Sequence, residues 1–168
     1  QDTGFVRLFR DTGGKRTGVI LVTTDRGLCG GFNANLSKVL AQQLADEDIE
    51  SAEFVILGRK GNDFFKKTSH KILANHTGTQ PGDQLGLVRE IVSDFTRRFE
   101  AGELDQVNLA YNHFFSVISQ VPVIEQLLPI KPLDTETVDE REIIFEPSPE
   151  NILETLLKKY VQNQVYVS

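Results

Sequence analysis

Residues 19–23, Val-Ile-Leu-Val-Thr, form an apolar run that feeds a loop containing Gly27, Gly30 and Gly31, and a helical pattern opens directly behind that loop. A strand without polar alternation is one that is covered on both faces, as in the parallel sheets of α/β proteins. The glycines allow positive φ angles and close backbone approach at the carboxyl end of the strand, where open α/β sheets place their functional contacts. The loop is therefore the first place to look for function.

The patterns that follow alternate between extended and helical. Leu36, Val39, Leu40 and Leu44 mark one amphipathic helix, with Asn33 or Asn35 as its expected N-cap. Phe54 to Leu57 reads as a short strand, followed by Gly58, a short helix through Phe64 and Phe65, and an extended piece at Lys71 to Ala74. Gly78, Pro81 and Gly82 mark a loop. Val88, Ile91, Val92, Phe95 and Phe99 then form an apolar stripe on a helix whose other face carries Arg89, Glu90, Asp94, Arg97 and Arg98, and Gly102 ends it.

Val107 to Ile118 switches to strand periodicity, with Val107, Leu109, Tyr111, Phe115 and Val117 on one face and Ala110, Phe114 and Ile118 on the other, both expected to be covered. Val121 to Ile130 is a further extended stretch that Pro122 and Pro129 confine to an edge or bulged strand. Residues 132–142 are polar and acidic and read as an exposed connection, and Ile143 to Glu146 as a last short strand. Ser148 and Pro149 then open a helix carrying Ile152, Leu153, Leu156, Leu157, Tyr160, Val161 and Val165, with no stop signal before the last residue. The expected fold class is α/β: a layered, mostly parallel sheet flanked by helices, with a stub of a long C-terminal helix. The expected division is one globular domain over 1–147 and the start of the helix over 148–168.

Composition restricts the functions open to such a domain. The 168 residues suffice for one core, and 24 acidic against 18 basic residues leave a net charge of -6, which disfavours a broad grip on nucleic acid or an anionic membrane. A single cysteine rules out an internal disulfide framework, and no apolar stretch approaches the length of a membrane span. The chain starts at Gln1 with no signal-peptide pattern and contains no methionine, so a processed chain or a piece of a longer one is expected.

Several chemistries can be weighed on the glycine loop. Gly27-Leu28-Cys29-Gly30-Gly31 has the spacing of a nucleophile elbow with a thiol in place of the hydroxyl, and His70, His76 and His113 follow as possible bases for a cysteine-dependent hydrolase. Only one strand precedes the loop, however, and a small apolar cysteine in a tight turn accounts for the same residues. Gly13-Gly14-Lys15-Arg16-Thr17 lacks the earlier glycine of a phosphate loop and precedes the strand, and the glycines of the main loop miss dinucleotide spacing. Three scattered histidines and one cysteine make no metal-ligand cluster, so neither cofactor nor metal is called for. Asn35-Leu36-Ser37 and Asn75-His76-Thr77 are formal glycosylation sequons without a secretory signal to give them use.

Four blocks together resemble the gamma subunits of F-type ATP synthases. They are Thr23-Thr-Asp-Arg-Gly-Leu-Cys-Gly-Gly-Phe-Asn-Ala-Asn, Tyr111-Asn-His-Phe-Phe-Ser, Pro122 with Leu127-Leu128-Pro129, and Phe145-Glu-Pro-Ser-Pro followed by Leu156-Leu-Lys-Lys-Tyr-Val-Gln-Asn-Gln-Val-Tyr. They stand in the family's order and span almost the whole chain. The resemblance implies an α/β domain between two long terminal helices that wind into a coiled coil, of which this chain is similar to the middle domain plus the beginning of the C-terminal helix.

The same resemblance implies a non-catalytic rotor, or central-stalk, subunit that couples rotation of the membrane proton-driven ring to ATP synthesis or hydrolysis at the beta subunits. Its implied partners are the alpha and beta subunits, the epsilon subunit and the membrane c-subunit ring. Nucleic acid is not among them, and the membrane is met only through the complex, at the cytoplasmic face of the bacterial inner membrane. Asp25, Arg26, Gly27, Cys29, Gly30 and Asn33 are implied to form a loop beside the shaft that faces an acidic segment of the beta subunits, with Arg26 as charge partner and Cys29 as a small spacer. Ile143, Phe145, Glu146 and Pro147 are implied to form the foot, which meets the membrane ring and epsilon. Residues 132–142 are short and cysteine-free, unlike the insertion of the photosynthetic forms, so thiol regulation is not expected.

Overall fold

A computed structural model describes residues 11–25, 31–80, 82–116 and 118–130. Among the described residues, five strands form one sheet in the order β3-β2-β1-β4-β5. β1 (Thr17–Val22) is central and fully buried, and it pairs in parallel with β2 (Glu53–Leu57) on one side and β4 (Gln106–Ser116) on the other. β3 (Lys71–His76) adds a parallel edge, and β5 (Ser119–Leu128) closes the other edge antiparallel to β4. The α/β class expected from the sequence is the one observed, and Pro122 lies in an edge strand as its missing N–H requires.

Alternation along β1 divides the core. Val19 and Leu21 join Phe54 and Ile56 of β2 beneath α1 (Phe32–Asp46) and α2 (Arg59–Phe65), which contribute Leu36, Leu40, Leu44 and Phe65. Ile20 and Val22 face the other way, with Val55, Leu57, Val107 and Leu109, against α3 (Gln84–Glu100). All five residues of the α3 stripe, Val88 to Phe99, are buried as their helical spacing predicts. Val39 of α1, expected in the stripe, is instead 38% exposed, because the buried face follows Asn33, Leu36, Ser37, Leu40 and Leu44.

The two long helices among the described residues end in the same capping geometry. After α3, Gly102 takes φ 83°, its N–H donates to the Phe99 carbonyl at 3.1 Å, and Glu103 N–H donates to the Arg98 carbonyl at 2.9 Å. This double reversal satisfies carbonyls that the helix leaves unpaired. After α1 the left-handed position falls to Asp48, φ 58°, with Asp48 N–H to Ala45 and Ile49 N–H to Leu44 at 3.0 and 2.8 Å. Ile49 and Leu44 are both buried in the same cluster, which fixes the chain's exit from the helix.

The N-terminal end of the sheet is tied by one buried carboxylate. Asp105 accepts from the Arg16 backbone N–H at 3.0 Å, Arg16 Nε at 2.9 Å and Thr12 Oγ1 at 2.8 Å. Hydrogen bonding to the Arg16 guanidinium holds its pKa down at about 2 against the opposing cost of burial.

Candidate functional site

The chain leaves β1, passes through α1 and β2 and then α2 and β3 outward along one face, and returns through α3 on the opposite face to β4 on the far side of β1. The order therefore reverses between β1 and β4, and open α/β sheets hold ligands in the crevice at the carboxyl ends of such a strand pair. Asp25 and Gly31, the described residues on either side of the glycine loop, stand on this rim.

The rim is laced together by the chain's own groups. Thr23 Oγ1 donates to the Leu57 carbonyl at 2.8 Å and accepts from the Gly61 N–H at 2.9 Å, so the end of β1 is bound to the turn that opens α2. Gly58, at φ 93°, sits so close that a Cβ built on it would lie 2.3 Å from the Thr23 carbonyl oxygen. Asn75 Nδ2 donates to the Ile56 and Gly58 carbonyls at 3.2 and 2.9 Å, while Gly58 N–H donates to the His76 carbonyl at 2.8 Å. Thr24, Asp25 and Asn33 continue the lacing on the loop itself.

The helix cap expected at Asn33 or Asn35 falls instead on Gly31, and Asn33 occupies a different position. α1 begins at Phe32 with Gly31 as N-cap and no side-chain cap bond. Asn33 lies buried inside the first turn and holds the other stem of the loop: its Nδ2 donates to Thr24 Oγ1 at 2.8 Å and its Oδ1 accepts the Thr24 N–H at 3.3 Å. An asparagine there closes the base of the loop instead of capping the helix. Asp25, half-buried, is tied to the neighbouring loops, its Oδ1 accepting the Arg59 N–H at 3.1 Å and its Oδ2 the Gly78 N–H at 2.8 Å.

The crevice side is bridged by β4. This strand pairs with β1 only as far as Ala110, and residues 111–116 run on beyond it as an arm that, among the described residues, pairs only with β5. Asn112 Nδ2 on that arm donates to the Phe32 carbonyl at 3.2 Å, across the mouth between β1 and β4. Lower on the arm, Tyr111 OH donates to Glu125 Oε1 at 3.1 Å, and burial, then the neighbouring Glu125 charge, raises the phenol's pKa. The sequence-based expectation that both faces of this strand are covered fails at the tip, where Phe115 is 63% and Ile118 88% exposed because the arm outruns the helices.

His70, one base considered for a thiol hydrolase, lies at the opposite end of the sheet. Its Nδ1 accepts the N–H of Ala52, the residue preceding β2, at 2.9 Å, and its ring packs on Phe54 and Phe65 with centroids 5.5 and 6.1 Å away. Burial lowers its pKa. His113 rests edge-on against Phe115 at 4.5 Å. Among the described residues, no group of histidine, cysteine or carboxylate side chains is arranged to hold a metal ion.

A protein-family model described as ATP synthase matches residues 3–168. The chain belongs to the ATP synthase family. Curated relatives in this family carry the name ATP synthase gamma chain. That of Desulfitobacterium hafniense is 44% identical over 152 residues, which cover 90% of this chain and 53% of the relative. That of Moorella thermoacetica is 41% identical over 152 residues, with the same coverage of 90% and 53%. The chain thus spans about half the length of the curated relatives it matches.

Solved ATP synthase structures share the fold. The central stalk and c-ring structure of the Tetrahymena thermophila mitochondrial enzyme has a chain that aligns at TM-score 0.53 and 22% identity, over 99% of this chain and 73% of that one. The rotor of the Euglena gracilis mitochondrial enzyme aligns at TM-score 0.55 and 15% identity, over 99% and 66%.

Of the residues singled out on the ATP synthase resemblance, the structure places Asp25 and Asn33 at the two feet of one loop, while Arg26, Gly27, Cys29 and Gly30 lie outside the described residues. The foot residues Ile143, Phe145, Glu146 and Pro147, and the boundary at 147/148, also lie outside them. From the sequence, Arg59 had no expected role, Gly78 only that of a loop marker and Asn112 only a place in a matched block. Their part is played by two backbone N–H groups and one side-chain amide, and only the adjoining glycines hinted that loops meet here.

Proposed function

We propose that this chain is the globular domain of a central-stalk gamma subunit, a non-catalytic rotor piece that couples rotation of a membrane proton-driven ring to ATP synthesis or hydrolysis at beta subunits. The observation that carries this reading is the match of gamma chains along 90% of the sequence. The geometry supports it independently. At the switch point, where α/β enzymes admit a substrate, the mouth is bridged by Asn112 and Phe32 and the loops are bound to one another. A rim of mutually bonded loops suits a part that passes force between neighbours, since stiff, close-packed structure transmits displacement.

On this reading residues 1–147 form the domain and 148–168 begin the C-terminal shaft helix. Residues 25–33 face the beta subunits, with Arg26 opposite acidic side chains. Ile143, Phe145, Glu146 and Pro147 meet the membrane ring and the epsilon subunit. The complex lies at the cytoplasmic face of a bacterial inner membrane, and the chain meets the bilayer only through its partners. The charge of -6 agrees with binding to protein rather than to anionic lipid.

Co-expression of the full-length protein with alpha, beta and epsilon subunits tests the proposal. We expect the chain to co-purify in a stoichiometric complex whose ATP-driven proton pumping, once joined to the membrane ring, requires it. A complex that assembles and pumps without the chain would overturn the reading.

A further inference from the structure

We infer that Asp25 is a positioning residue that clasps three loops of the rim together and so fixes the stem of the glycine loop, acting through the backbone and not by touching a partner. This inference rests on the rotor reading for its functional consequence. β1, β2 and β3 are consecutive neighbours in the sheet, and each is followed by a loop at the same end. Asp25 belongs to the first of these loops, Arg59 opens the helix after the second, and Gly78 belongs to the third. One carboxylate therefore ties together the segments that follow three adjacent strands.

Each oxygen has its own donor, Arg59 N–H at 3.1 Å for Oδ1 and Gly78 N–H at 2.8 Å for Oδ2. Both are charge-assisted bonds to main-chain groups, which carry no side-chain freedom of their own. The Arg59 N–H belongs to the first turn of α2, where no carbonyl of the helix can serve it. The Gly78 N–H lies in a loop at φ 69°, with no regular partner. Both donors would otherwise be left to solvent, and the loops free to separate. Lys60 N–H adds a neighbouring tie to the Thr24 carbonyl at 3.1 Å, and Asn33 Nδ2 donates to Thr24 Oγ1, so the described residues on both sides of the loop are held.

A negative residue at the base of a loop that is to face acidic side chains would be poor chemistry if its charge were presented outward. Bound to two main-chain N–H groups, the half-buried carboxylate is turned along the rim toward the neighbouring loops. Force applied to the loop then passes at once to β2 and β3 and does not bend the end of β1 alone.

The test uses the full-length protein in the assembled complex, with Asp25→Ala and Asp25→Asn. The alanine variant loses both bonds, whereas asparagine keeps one acceptor oxygen. Hydrogen exchange at the Arg59 and Gly78 amides should rise at least about tenfold in Asp25→Ala and at only one of the two in Asp25→Asn. Protons pumped per ATP hydrolysed should fall in the same order. A residue that only stabilised the fold would reduce the yield of complex and leave that ratio untouched. Unchanged exchange in both variants overturns the clasp. Raised exchange with an unchanged ratio overturns the positioning role, and so does a lost ratio without raised exchange, which would mark Asp25 as a direct contact. If Asp25→Ala does not assemble, Asp25→Asn alone decides between these outcomes. Exchange in the full-length chain can be read whether or not it joins the complex, so failure of the rotor reading is seen separately.

Discussion

Asn112 Nδ2 donates to the carbonyl of Phe32 across 3.2 Å, joining the β4–β5 arm to the first turn of α1 over the strand pair where the sheet order reverses. Asn112→Ala removes this bridge. We expect a loss of about 1 kcal/mol in urea unfolding and faster amide exchange along 111–116, with the base of β4 unaffected.

Gly58 is the least replaceable residue of the rim. Gly58→Ala combines an unfavourable φ of 93° with a Cβ 2.3 Å from the Thr23 carbonyl oxygen, which backbone cannot yield cheaply. The expected loss is about 3 kcal/mol or more. Gly86→Ala in α3 is its control. Nothing lies within 4 Å of the added methyl, and a gain of about 0.5 kcal/mol from helix propensity is expected in the same denaturation assay.

Much of the fold was legible in the sequence because burial enforces period. The uninterrupted apolar run of β1 and the stripe from Val88 to Phe99 could be satisfied only by a sheet and helix covered as observed. The limits of α1 were not legible. Asn33 carries the chemistry of a cap, but Thr24, nine residues earlier, claims its side chain, and the left-handed residue that follows the helix end is Asp48, where the usual signal is glycine. The rim was hidden for a similar reason: Asp25 is bound to backbone N–H groups in loops distant in sequence, and such donors leave no residue signature. The projection of Phe115 and Ile118 was missed because strand periodicity reveals alternation but not where the covering helices end.

The end of α1 supplies a substitution that should stabilise. Asp48 holds φ 58°, a conformation that costs a residue with a Cβ more than glycine, and its ion pair with Lys15 is long and exposed at 3.8 Å. Asp48→Gly should raise stability by about 0.5–1 kcal/mol, read as a higher melting temperature.

Asp105 makes the domain acid-sensitive. Its folded pKa is depressed to about 2 from an ordinary 3.8, so its contribution is fully present above the ordinary value and is lost as pH falls toward 2. Asp105→Asn should flatten the unfolding curve between roughly pH 4 and pH 2 and cost about 2 kcal/mol at neutral pH.

His70 acts in a second window. Its folded pKa lies below the ordinary 6.5, so the folded state disfavours the proton, and the stability held above that pH declines as pH drops through and below it. Protonation would also turn Nδ1 from acceptor to donor against the Ala52 N–H. NMR titration of the ring should give a value below that of an unfolded-chain histidine, and His70→Asn should remove the corresponding slope in stability.

The most direct test of the rotor account is single-molecule observation of the full-length protein in its complex with alpha and beta subunits, with a bead fixed to the exposed arm at Ser116→Cys after Cys29→Ser. The account predicts that ATP hydrolysis drives the bead in one direction around the complex. A bead that stays fixed while hydrolysis continues would contradict it.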